Sequence, residues 1–151
     1  MNNLENLNNK VAILLLNYNN FKDSDECINS LLKVKSKPFS IIFVDNNSLD
    51  NSGEKIKSKY SEKIEYIKSP ENGGFSKGNN IGIRHCLKNN FDYILLLNND
   101  TIVADDFLDP LIDSFAHQDV GIVTGKAYFY SKPNVLHMCG GEIQTIKITY
   151  R

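Results

Sequence analysis

Three clusters of asparagine and aspartate stand directly behind apolar runs: Asn17-Tyr18-Asn19, Asp45-Asn46-Asn47 and Asn98-Asn99-Asp100. Taken singly, such residues start turns and cap helices. If the three runs are neighbouring parallel strands, the clusters converge on one rim, where the ligands of such sheets sit. Asp100 is the most informative member. A hard divalent cation accepts one carboxylate, phosphate oxygens and water as ligands, so a single aspartate beside a diphosphate suffices for Mg2+ or Mn2+. The cation would neutralise charge growing on a departing diphosphate, which is Lewis-acid catalysis.

A fourth polar feature is Pro70-Glu71-Asn72-Gly73-Gly74-Phe75. Gly73 and Gly78 have P-loop spacing, but Asn79-Asn80 stand where Lys and Ser or Thr are needed, and Gly74-Phe75-Ser76 breaks G-x-G-x-x-G. An ATPase and a dinucleotide-binding enzyme both lose ground. The glycines still allow positive φ and close backbone approach, and a helix starting near Ser76 would offer free N–H groups to an anion. Other metal-type residues form no ligand set. His137 and Cys139 lack further partners at matching spacing, His85 with Cys86 reads as helix packing, and His117 as a cation at a helix end.

Positioning these clusters requires alternating strands and helices. Residues 11–16 (VAILLL), 40–44 (SIIFV) and 93–97 (YILLL) are apolar runs, as in strands covered on both faces. Residues 64–67 alternate like a shorter strand, and 120–124 completes the set. Asp23 and Glu26 read as a capping box ahead of Cys27, Ile28, Leu31, Leu32 and Val34, a helix of about three turns before Pro38. Residues 54–60 predict a charged helix, and Ile81, Ile83 or Arg84, Cys86 and Leu87 mark another that ends at Asn89-Asn90. A further helix is expected over 106–116, with Pro110 in its first turn. Beyond Gly125, residues 127–130 and 142–150 look like strands outside the βαβ rhythm. The alternation implies a mostly parallel sheet with right-handed crossovers.

The chain has 151 residues, 41% of them hydrophobic, which suits one domain with a core. Lys plus Arg is 17 and Asp plus Glu 18, a net charge of −1, so no basic excess could neutralise a row of phosphates and no nucleic acid is expected as a partner. Cys27, Cys86 and Cys139 are too far apart for a C-x-x-C pair, which makes a reducing cytoplasm the expectation. The run 11–16 is far shorter than the roughly 20 residues of a spanning helix, and residues 1–10 lack a cationic signal start and read as a loose lead.

The stretches LLLNYNN (14–20), IIFVDNNS (41–48), ENGGFSKGNNIGI (71–83) and YILLLNNDTIV (93–103), in this order, resemble the inverting family 2 glycosyltransferases of GT-A fold, especially the rhamnosyltransferase-like branch. The resemblance covers residues 11 to about 125 and implies an α/β, Rossmann-like, mostly parallel central sheet flanked by helices, C-terminally truncated. It implies a flexible lead (1–10), a nucleotide-sugar-binding subdomain (11–125) and the incomplete start of an acceptor-side region (126–151). By this likeness Asn17, Tyr18 and Asn19 match the first nucleotide-binding segment, with Tyr18 placed to pack on the base. Asp45 and Asn46 match the pair contacting base and ribose, and Asn72, Gly74, Phe75 and Asn79 the loop beside the nucleotide and donor sugar. Asn98-Asn99-Asp100 is similar to the D-x-D metal motif with its first Asp replaced, so Asp100 would carry Mg2+ or Mn2+ while Asn98 or Asn99 hydrogen-bonds the donor.

The implied activity, within polysaccharide biosynthesis, is transfer of a sugar from a dTDP- or UDP-sugar, tilted toward dTDP-rhamnose, to a glycan or lipid-linked acceptor with inversion. The family's carboxylate base belongs to a later acidic motif; Glu142 is the sole acidic residue after Gly125, and no residue here is nominated as catalytic base. A cytoplasmic location, with the parent at the inner face of the membrane, and a homo-oligomer formed through residues 127–150 are further expectations. Two rivals stand beside this reading. One is a non-catalytic nucleotide-sugar binding or assembly module, favoured by the missing base. The other is a flavodoxin- or receiver-like domain that uses Asp45 at a strand end.

Overall fold

Apolar runs without polar alternation form strands that can be covered on both faces, and the first two runs do so. The computed structural model describes residues 10–36, 38–117 and 119–140. In it β1 (Val11–Asn17), β2 (Phe39–Asp45), β3 (Ile64–Lys68) and β4 (Tyr93–Asn98) form a parallel sheet in the order β3-β2-β1-β4. The α/β sheet flanked by helices expected from the sequence is the fold observed. Leu16 lies opposite Val44 and Asn98, and Asn17 opposite Asp45, so the three strands that carry the polar clusters end level. The order reverses direction between β1 and β4, the switch point at which doubly wound sheets bind ligands. Flavodoxin- and receiver-like sheets run 2-1-3, so that rival is set aside by topology.

Successive strands are joined by α1 (Phe21–Leu31), α2 (Ser52–Tyr60) and α3 (Gly74–Lys88). Ala12, Leu14, Ile42 and Val44 pack with Cys86 and Phe91 on the α3 side, with Leu16, Ile81 and Ile83 around them. Val11, Ile13, Leu15, Ile41 and Phe43 point the other way by the two-residue period and are also buried. Cys27, Ile28 and Leu31 of α1 and Ile56 and Tyr60 of α2 are buried with them. The Tyr60 hydroxyl donates to Asp25 Oδ1 at 2.7 Å and ties the two helices. A Cβ on Gly82 would stand 2.2 Å from a Leu14 methyl, and one on Gly78 2.5 Å from a Leu16 methyl. These two glycines, one turn apart, let α3 lie close on β1.

Several boundaries differ from expectation. The cap of α1 is Asn20, whose Oδ1 accepts from the Asp23 backbone N at 3.3 Å, so the helix starts a turn early and the expected Asp23–Glu26 capping box is not its start. Leu32 is already the C-cap, and Val34 lies outside the helix. α3 opens at Gly74 rather than near Ser76. β4 was expected to be covered on both faces; among the described residues it pairs only with β1, and Leu96 is 48% exposed.

Backbone packing divides the chain between Asp105 and Asp106. The second unit contains α4 (Leu108–Asp113), which runs into a 3-10 turn at Ser114–Ala116 and carries Pro110 in its first turn as expected. It also holds an antiparallel pair, β5 (Ala127–Phe129) and β6 (Lys132–Met138). The strand expected over 120–124 does not form: these residues have no ladder partner, and Ile122 is 90% exposed. β6 was not anticipated. The strand expected over 142–150 lies outside the described residues. No helix among the described residues is long and apolar enough to cross a membrane.

Candidate functional site

Because β2, β1 and β4 are adjacent and end level, the three polar clusters meet on one rim. At its centre Asn17 is 0% exposed. Its Nδ2 donates to Asp45 Oδ1 at 3.2 Å, Ser48 Oγ at 3.0 Å and Ser52 Oγ at 2.9 Å. Its Oδ1 accepts from Ser24 Oγ at 3.0 Å and Asn99 Nδ2 at 3.4 Å, and Asn99 Nδ2 also donates to Ser24 Oγ at 2.8 Å. Ser24 and Ser52 escaped the sequence reading because neither belongs to a motif, and Ser48, which closes the stretch IIFVDNNS, was given no role of its own. The one available signal was their position at helix starts and in turns, where serine is common.

Asp45 is 1% exposed. Its carboxylate accepts from the Ser48 backbone N at 3.3 Å, the Ser48 hydroxyl and the Tyr66 hydroxyl at 3.4 Å. A Cβ on Gly53 would stand 2.2 Å from the Asp45 carboxyl carbon, so the first turn of α2 lies against the charge, the favourable end of a helix for an anion. Burial, and then the Asp45 and Glu54 carboxylates, push the Tyr66 phenol above its usual range, which keeps it a donor.

Asn46 joins β2 to the glycine loop. Its Nδ2 donates to Asn72 Oδ1 at 2.8 Å and Gly74 O at 3.3 Å, and its Oδ1 accepts from Gly73 N at 3.3 Å. Asn72 Oδ1 also accepts from Gly74 N at 3.0 Å. Gly74 has φ +78, the left-handed region that a residue with a Cβ rarely adopts. Beyond it Phe75 is 64% exposed, and Asn79 is buried with its Nδ2 donating to Phe75 O at 3.0 Å. Tyr18 is 43% exposed. Asn19, at φ 53, accepts from Leu49 N at 2.7 Å through its side chain.

At the switch point lies a cleft of about 260 Å3 lined by Leu16, Leu96, Leu97 and Phe75 and by the polar Asn79, Asn98, Asn99 and Asp100. Cys27 sits beneath, its Sγ 3.9 Å from Asn98 O, and burial pushes its thiol up to about 12. A larger open depression, about 470 Å3, lies beside Phe21, Glu54, Lys55, Ser58 and Lys59 of α1 and α2. No group of three His, Cys, Asp or Glu side chains gathers for a metal among the described residues. Asp100 is the carboxylate that lines the cleft. One carboxylate fits Mg2+ or Mn2+ when phosphate oxygens and waters complete the shell.

Residues 12–138 match the family described as Glycosyl transferase family 2. The poly-beta-1,6-N-acetyl-D-glucosamine synthase of Staphylococcus aureus (strain COL) is 31% identical over 139 residues, 91% of this chain and 32% of that protein. Glycosyltransferase GlyG of Streptococcus pneumoniae serotype 4 is 27% identical over 124 residues, 81% of this chain and 40% of that protein. The chain thus spans about a third of the length of the first of these relatives. Among solved structures, S. aureus TarS 1-349 in complex with UDP is similar with TM-score 0.58 and 25% identity, over 71% of this chain and 31% of that one. The fold is also that of the mannosyltransferase PcManGT from Pyrobaculum calidifontis, solved with GDP-Man and Mn2+, at TM-score 0.64, 18% identity, 74% of this chain and 33% of that one.

Proposed function

The chain belongs to glycosyl transferase family 2, and from that premise we propose that the rim at the β1–β4 switch point binds a nucleoside-diphosphate sugar for transfer, with inversion, to a glycan or lipid-linked acceptor. The observation that carries the reading is that β2, β1 and β4 end level and bring Asp45, Asn46, Asn98, Asn99 and Asp100 to one rim, on which Asn98, Asn99 and Asp100 line a cleft together with Leu16, Leu96, Leu97 and Phe75. Tyr18 packs on the base, and Asp45 and Asn46 serve the base and ribose side, the Asp45 carboxylate fixed in place by the Ser48 and Tyr66 donors. Asn72, Gly74, Phe75 and Asn79 border the nucleotide and sugar, and Asn19 shapes the turn beside Tyr18. Asn98 hydrogen-bonds the donor from the cleft wall. Asp100 holds Mg2+ or Mn2+, which when bound offsets charge on the leaving diphosphate. The base is uracil or thymine, a reading supported by the TarS structure with UDP.

The test is thermal unfolding with UDP, dTDP, GDP and their sugars, each with and without Mn2+, beside Asp100→Ala. A nucleotide at 100 times its dissociation constant should stabilise the fold by about 2.7 kcal/mol. Metal-dependent stabilisation by one nucleotide, lost in Asp100→Ala, is the expected result. A cooperative transition that no nucleotide moves would overturn the reading.

A further inference from the structure

We infer that Asn17 is a positioning residue that never touches the donor and instead holds both halves of the rim in one register. The amide spans two directions. Its Nδ2 faces Asp45, Ser48 and Ser52, at the end of β2 and the start of α2. Its Oδ1 faces Ser24 of α1 and Asn99, the residue next to Asp100. A side chain that donates at one end and accepts at the other is what this place requires, and asparagine is the shortest that does both. Because Asn17 is 0% exposed, removing the amide leaves its partners on both sides without the bonds it makes to them. The Nδ2 hydrogens are shared among three acceptors, so the Asp45 side leaves none over for a ligand.

Two substitutions each cut one side. Asn17→Asp keeps the oxygen that Ser24 and Asn99 need and removes the donor toward Asp45. Ser24→Ala removes the hydroxyl that receives Asn99 and leaves the Asp45 side intact, in a helix where alanine is favourable. If Asn17 sets a common register, each cut is felt on the far side. Native-state amide hydrogen exchange of the full chain, without ligand, reads this directly.

Asn17→Asp should speed exchange at Thr101 N, bonded to Asn98 O at 3.2 Å, by about tenfold. Ser24→Ala should do the same at Ser48 N, bonded to the Asp45 carboxylate. Phe91 N, bonded to Cys86 O at the opposite end of the sheet, should stay at its original rate in both. Acceleration confined to the side that was cut would overturn the proposal, since a merely local brace predicts that pattern.

The binding consequence rests on the reading of the rim as a nucleotide-sugar site. There Ser24→Ala should lose most of the gain in UDP affinity that Mn2+ gives, because Asn99 stands beside Asp100. A full metal-dependent gain in Ser24→Ala would count against the inference. If the unsubstituted chain binds no nucleotide, the functional reading fails, and the exchange experiment still decides the role of Asn17.

Discussion

At the residue scale, backbone conformation and burial decide what each side chain can do. Gly74 sits at φ +78 with nothing within 4 Å of where a Cβ would be, so Gly74→Ala costs strain without a clash. The expected loss is about 1 kcal/mol, seen as a lower urea midpoint at unchanged slope. Among the cysteines, Cys27 and Cys86 are buried, with thiols raised by burial, and Cys139 is exposed. Iodoacetamide at pH 8 should therefore label Cys139 in the native chain and reach the other two only on unfolding; mass spectrometry of the labelled peptides checks this. The residue types of the rim were legible in the sequence, since each cluster follows an apolar run. The burial of Asn17 was not, because it depends on three serines brought in by tertiary packing.

The strands and helices that present the rim were the most legible level, for a physical reason. Residues 11–15 and 41–44 are buried on both faces, so hydrophobicity alone marks them. Where burial is partial the signal fails. Residues 120–124 are apolar yet unpaired, whereas β6 is exposed along its whole length and begins Lys-Pro-Asn, so no alternation betrays it. Caps are similarly ambiguous, since Asn20 and Asp23 are both good candidates and the structure uses Asn20. Asn20→Ala should lower stability by about 1 kcal/mol and Asp23→Ala by less. The contact between α3 and β1 is tighter still. Gly82→Val would drive a branched side chain into Leu14, at a cost of about 1–3 kcal/mol by denaturant titration.

Across the whole molecule, exposed charges shape the pH response. Asp50 is held below its usual value by Ser52, Glu54 by Lys68, Glu71 by Lys77 and Asp105 by Lys35. Their unfolded values are near 3.8 for Asp and 4.5 for Glu, and the folded values lie lower, so their contribution is complete above that range. It is lost as pH falls through the folded values. Tyr60 and Tyr66 are raised from 10, mainly by burial, so their contribution is complete below pH 10 and lost as pH rises through the folded values. Urea midpoints should therefore fall in acid below about pH 4.5 and again above pH 10, the acid limb being shallow because its groups are solvated. The sequence foretold the α/β sheet, the convergence of the clusters and the family, because each is written in local runs. It misplaced the covering of β4, because the neighbours of an outer strand are not encoded in that strand.

The loop that carries Gly74 also bears on how this protein ages. Asn72-Gly73 is the kind of step at which a backbone nitrogen attacks the preceding side-chain amide, turning asparagine slowly into aspartate and isoaspartate. Here Gly73 N is occupied by Asn46 Oδ1, and Asn72 Oδ1 is gripped by Asn46 and by Gly74 N. Stored folded at pH 8, the chain should deamidate there more slowly than in urea, as peptide mapping would show. The same three hydrogen bonds that shape the loop set its shelf life, and one loss of ammonia followed by opening of the resulting succinimide by water would plant a negative charge in the glycine loop.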